Sequence, residues 1–255
     1  MTLVPVQVEG HRAWYRTFAS AGSELRDFGS AQAILTTQRP ERSLVNAVAY
    51  TDPGDVPLDE LAAFFEPVQA WCVWVQPGHD ALAEACAARG MTIDGTPMLM
   101  AAALDEVDIE QRDVPAQISE GTWAEFGTIN DAAYGLPADH FAPVMRRLSP
   151  ESYRLAVARR DGHGLACAGA LVHEGNAEVV FVATLPDARR QGLAAECMRT
   201  TLRAAAADGC TTTTLEATAA GEPVYTAMGY RPFGRYRMME ARSAAGESAP
   251  SLRHG

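Results

Sequence analysis

Residues 177–205 constrain the fold of this chain more than any other stretch. An apolar run from Ala177 to Thr184 leads through Leu185-Pro186-Asp187-Ala188 into Arg189-Arg190-Gln191-Gly192-Leu193-Ala194. Apolar residues then recur at helical spacing through Met198, Leu202 and Ala205. The pattern predicts a strand, a short basic loop and a helix. Gly192 lets the backbone approach a ligand with no side chain in between. The first N–H groups of a helix have no partner inside it and carry the positive end of its dipole. With Arg189 and Arg190 beside it, such a terminus is a cradle for a pyrophosphate.

Arg189-x-x-Gly192-x-Ala194 after such a strand resembles the acetyl-CoA signature of the GNAT acetyltransferase superfamily. Downstream, Val224-Tyr225-Thr226-Ala227-Met228-Gly229-Tyr230 resembles a helix end of the same family. The resemblance covers about residues 115–240. It implies a mixed α/β fold, a sheet flanked by helices, with acetyl-CoA held where two parallel strands splay, here Glu178–Thr184 and Thr211–Thr218. By that resemblance, backbone groups of Val182, Ala183 and Thr184 hold the pantetheine arm and the thioester carbonyl. Amides of Arg190, Gln191, Gly192, Leu193, Ala194 and Ala195 hold the pyrophosphate, with Arg189 adding charge. Thr218 and Gly221 stand where relatives often carry Asn and Ala, so the pantetheine hydrogen bonds differ from the family pattern.

The resemblance also places two catalytic candidates. Tyr225 stands where the family commonly uses a tyrosine to protonate the CoA thiolate, and a phenol is a suitable donor to that group. Ala177-Glu178-Val179-Val180-Phe181 looks like the strand that carries the catalytic glutamate in histone acetyltransferases of this superfamily. An alkyl ammonium must lose a proton before it attacks, and Glu178 is the leading base. Strand alternation puts Glu178 on the same side as Val180 and Val182. Glu216 and His140 are the alternative bases. His163 and His173, in or beside turns, read as surface residues. No covalent enzyme intermediate and no metal is needed.

Composition narrows the class further. The chain has 255 residues, 47% of them hydrophobic, enough for one large domain or two small ones. No apolar run is long enough for a membrane span, and Met1–Glu9 lacks the pattern of a secretory signal. Five cysteines with no CxxC pair read as free thiols in a reducing cytoplasm. Every basic residue is arginine. Residues 1–113 carry 7 Arg against 17 acids, and residues 114–255 carry 14 against 15, so nearly all of the net charge of −11 lies in the first part. No basic face for nucleic acid is present, whereas an acidic half suits a cationic acceptor.

The amino-terminal half has a similar rhythm: a strand at Ser43–Tyr50, a helix at Leu58–Phe65, a strand at Trp71–Val75, a helix at His79–Arg89 and a strand at Pro97–Leu104. Gly90, Gly95 and Met100 align with Gly229, Gly234 and Met239 at one constant offset. This reads as a second, degenerate copy of the same fold. Its counterpart of the cradle, Thr51-Asp52-Pro53-Gly54-Asp55-Val56-Pro57, offers acids and prolines instead of amides and arginines. Cys86 stands where the other copy has Tyr225. The expected organisation is a degenerate domain at 1–105, a linker at 106–114, a catalytic domain at 115–240 and a disordered tail at 241–255, with Arg231–Met239 as one closing strand. The implied activity is transfer of an acetyl group from acetyl-CoA to a primary amine of a small molecule. The alternative is an acetyl-CoA-binding sensor or scaffold without turnover.

Overall fold

The computed structural model describes residues 4–138, 140–148 and 151–243. The first part of the chain forms α1 (Val4–Ser20), β1 (Glu24–Phe28), β2 (Ala31–Leu35), β3 (Ala47–Tyr50), α2 (Leu58–Phe64), β4 (Ala70–Val75), α3 (Asp80–Ala87), β5 (Thr92–Gly95) and β6 (Met98–Ala103). Next come β7 (Gln117–Glu120), α4 (Trp123–Ala133), α5 (Ala142–Met145), β8 (Tyr153–Arg160), β9 (His163–His173) and β10 (Asn176–Thr184). The chain then forms α6 (Leu193–Ala207), β11 (Thr212–Ala217), α7 (Glu222–Ala227), β12 (Arg231–Arg235) and β13 (Arg237–Arg242). The strands and helices expected between residues 47 and 227 are found close to their predicted limits. The elements α1, β1 and β2 were not anticipated.

The two sheets share one plan. Their strand orders are β1-β2-β3-β4-β13-β5 and β12-β6-β11-β10-β9-β8-β7. In each, an antiparallel strand leads to a parallel pair, β3 with β4 and β10 with β11. Beyond that pair each sheet takes a strand from the other half of the sequence: β13 lies against β4, and β6 against β11. Met239 of β13 pairs with Val73 and joins the core around Phe65, Trp71 and Leu61. Within the described residues, one compact unit therefore holds the chain up to Leu99 with Ala217–Glu222 and the chain from Pro232 on. The other holds Met100–Glu216 with Pro223–Arg231.

This exchange corrects three expectations. The linear division at 105–115 and 240 is not how the chain packs, because β6 and β13 trade sheets. Arg231–Met239 is not one strand: it breaks at Tyr236, so β12 and β13 enter different sheets. Ala241 and Arg242, expected to open a disordered tail, instead pair with Trp71 and Ala70. The rest of that tail, 244–255, lies outside the described residues.

In the second unit, helices cover both faces of the sheet: α4 packs against β9 and β10, and α6 against β8, β9 and β10. α6 buries Leu193, Cys197, Met198, Leu202 and Ala205, a stripe at helical spacing. Each of its large side chains contributes roughly 1.5–3 kcal/mol on burial. α4 begins in a capping box: Glu125 N–H donates to Thr122 Oγ1 at 3.3 Å and Thr122 N–H to Glu125 Oε2 at 3.0 Å. The segment before β7 is acidic as expected but is not loose. Arg199 binds Asp108 at 3.0 Å, Arg203 donates to the Ile109 carbonyl at 2.7 Å, and Glu196 accepts from Arg112 N–H at 3.1 Å, so α6 pins it.

Candidate active site

β10 and β11 are hydrogen-bonded in parallel only over Asn176–Val179 and Thr212–Leu215. Beyond Val179 and Leu215 the register ends, while β10 runs on to Thr184 and β11 to Ala217. Backbone groups on the facing edges of the parted strands are thereby released from the ladder. On its other side β10 bulges: Val180 faces Gly169 and Ala183 faces Cys167, so Phe181 and Val182 together stand opposite Ala168. Phe181 takes up the distortion with a left-handed φ of 54°. The bulge changes one expectation. Paired residues share a face, so Glu178, Val180 and Ala183 lie together, and Val182 falls out of the alternation.

The loop after β10 is built as a cradle. Arg190 and Gly192 both have positive φ, 61° and 75°, and Gly192 is the N-cap of α6 with no side-chain cap bond. The helix ladder starts with Glu196 N–H donating to the Gly192 carbonyl at 3.0 Å. The N–H groups of Leu193, Ala194 and Ala195 precede it and have no place in the ladder. Arg190 is exposed and Gln191 half-buried. Gln191 accepts from Arg160 Nη2 at 2.7 Å, and Arg189 spans to the Ala133 carbonyl at 3.0 Å, tying the loop to the end of α4. Bare backbone, free amides and three nearby guanidinium groups match a polyphosphate's needs.

Glu178 is 2% exposed, with Oε2 at 3.4 Å from His173 Nε2. His173 is therefore a buried neighbour of the candidate base, not a surface residue as its position beside a turn suggested, whereas His163 is exposed as expected. Asn176 organises this corner. Its Nδ2 reaches His173 Nε2 at 3.1 Å and Thr214 Oγ1 at 2.8 Å, and its Oδ1 accepts from Thr212 at 3.0 Å. A carboxylate oxygen of Glu216 lies within 4.8 Å of one of Glu178. His140 is half-buried, its ring 5.1 Å from that of Phe141.

Tyr225 sits inside α7, half-buried, its ring 6.2 Å from that of Tyr230. Burial, reinforced by the nearby Tyr134 hydroxyl, raises its pKa well above that of an ordinary phenol. The group therefore holds its proton at any physiological pH. All five cysteines are buried free thiols, and burial raises the pKa of each. None is a ready nucleophile. Cys86 is among them, and in the segment 51–57 the Gly54 N–H is already taken by Asp52 Oδ1 at 2.9 Å.

Residues 151–232 match the acetyltransferase (GNAT) domain family. The carboxy-terminal half carries a GNAT domain. The whole chain is similar in fold to a GCN5-related N-acetyltransferase from Kribbella flavida, at 20% identity over 93% of this chain and 96% of that one, with a TM-score of 0.66. A GCN5-related N-acetyltransferase from Sphaerobacter thermophilus shares 17% identity over 84% and 76%, with a TM-score of 0.58. A tandem GNAT protein from the clavulanic acid biosynthesis pathway shares 14% over 95% and 97%, with a TM-score of 0.56. No curated protein sequence matches this chain significantly. The GNAT domain is that of acyl-CoA-dependent N-acetyltransferases, and the expected mixed α/β fold is the one observed. Among the described residues, no helix is long and apolar enough to cross a membrane.

Proposed function

We propose that the chain is an acetyl-CoA-dependent N-acetyltransferase with its active site in the second unit. The observation that carries this reading is the parting of β10 from β11 beside a bulge, directly before the Gly192 cradle. The amides of Arg190–Ala195 hold the pyrophosphate, and the backbone of Val182, Ala183 and Thr184 holds the pantetheine arm and the acyl carbonyl. Acetyl-CoA supplies an activated acyl group, and CoA leaves as a thiol once the acceptor nitrogen has taken the acyl carbon and the C–S bond has broken. A backbone N–H fixed at the bulge stabilises the charge that develops on the carbonyl oxygen. Glu178 takes the proton from the ammonium, and Tyr225 gives one to the departing sulfur.

The acceptor is a primary amine on a small molecule in a reducing compartment such as the cytoplasm. Support comes from the two carboxylates of Glu178 and Glu216 on one face of the parted strands, which suit a cationic acceptor. The test is release of free thiol from acetyl-CoA across a panel of amines, aminated antibiotics and peptides. Turnover with small amines is expected. Tight binding of acetyl-CoA with no thiol release from any amine would replace this reading with that of a sensor.

A further inference from the structure

A bulky residue adopts the left-handed conformation of Phe181 only when its surroundings enforce it. Trp123 of α4 meets the Phe181 ring edge to face, at 5.7 Å and 90°. Cys167 acts on the backbone. It is fully buried on β9, opposite Ala183, and its S–H donates to the Phe181 carbonyl at 3.3 Å. Cys167 and Ala183 are themselves partners in the β9–β10 register. Residue 167 thus holds both neighbours of Val182, Phe181 through the thiol and Ala183 through strand pairing, where the bulge leaves Val182 without a regular partner. Asn130 of α4 steadies the sulfur: its amide donates to Cys167 Sγ at 3.5 Å and to the Phe126 carbonyl at 2.8 Å.

We propose that Cys167 is a positioning residue, a thiol clip that sets the direction of the Val182 peptide group and through it the grip on acyl-CoA. The second half of this statement rests on the acyltransferase reading above. The clip needs a thiol and not a thiolate. Burial meets that need, since it raises the Cys167 pKa far above the usual value, and the same burial removes the residue as a nucleophile. Asn130 is the second positioning residue, acting through the sulfur.

The test compares Cys167→Ala and Cys167→Ser in the full-length chain. Serine keeps a donor and an acceptor at nearly the same place, and alanine keeps neither. The readouts are backbone amide exchange of residues 181–183 in the free protein and acetyl-CoA affinity by calorimetry. C167A is expected to exchange faster at these amides and to bind acetyl-CoA about three- to tenfold more weakly, the worth of one hydrogen bond. C167S is expected to recover most of both. Asn130→Ser, which opens no space in the sheet, should shift the same amides in the same direction if C167A does not fold. Unchanged exchange in C167A, or equal losses in the alanine and serine variants, would overturn the clip. Wild-type protein without affinity for acetyl-CoA would remove the acyltransferase reading instead, and the exchange measurement would still decide the clip.

Discussion

Nε2 of His173 lies 3.4 Å from Oε2 of Glu178, and both side chains are almost wholly withdrawn from solvent. A buried carboxylate needs partners, and here a histidine and an asparagine-threonine ladder are set around it. Glu178→Gln preserves size and hydrogen bonding but removes the base. Its kcat is expected to fall by roughly 10²–10⁴ at neutral pH, with acetyl-CoA affinity kept. A variant with wild-type kcat would pass the role of base to Glu216 or His140.

Tyr225→Phe keeps the ring that packs on Tyr230 and deletes only the acid. Folding and acetyl-CoA affinity should hold, while kcat and kcat/KM fall together by roughly 10²–10⁴. Because burial raises the pKa, the neutral and donating form persists as pH rises and is lost only above the ordinary phenol range near ~10. An alkaline limb below that range that vanishes in Tyr225→Phe would contradict the raised pKa, and one that persists in Tyr225→Phe would belong to another group.

Gly192 has φ of 75°, and a Cβ there would meet only Val114, at 3.6 Å. Space is therefore not the obstacle; conformation is. Gly192→Ala should lose about 1 kcal/mol of stability in a denaturant melt. Gly192→Glu adds charge and bulk over the α6 amides and should abolish detectable acetyl-CoA binding. Wild-type affinity in the glutamate variant would dismiss the cradle.

One acetyl-CoA per chain is expected by calorimetry, because Asp52 occupies the Gly54 amide in the degenerate copy. Two equivalent sites per chain would show that the first unit retains a working cradle.

The strand exchange makes each half incomplete. A fragment of residues 106–255 lacks β6, which stands between β11 and β12, and leaves a buried strand edge open. Such a fragment should aggregate when expressed alone and should recover solubility when co-expressed with residues 1–105. A monomeric fragment that melts cooperatively would show that β6 is dispensable.

The strand-loop-helix from Ala177 to Ala207 was legible in the sequence because its signals are local. An apolar run, a glycine and a helical stripe act within a few residues of one another, and Arg189, Gly192 and Ala194 carry the family pattern there. Gly90, Gly95 and Met100 suggested a second copy of one pattern, and the two sheets do share one strand plan. Which sheet Met100 and Met239 enter was not legible, since two copies of one pattern offer two equally good partners, and only the packed chain chooses between them. The bulge at Phe181 was hidden for a similar reason. Val179-Val180-Phe181-Val182 reads as uninterrupted strand, and the contacts to Phe181 from Trp123 and Cys167 come from residues distant in sequence. His173 looked exposed beside its turn until Asn176 and Glu178 folded over it. Local chemistry thus specified the cradle, while contacts between distant residues settled the exchange of strands, the bulge and the surroundings of Glu178. Such contacts have a free energy only once the chain has closed around them.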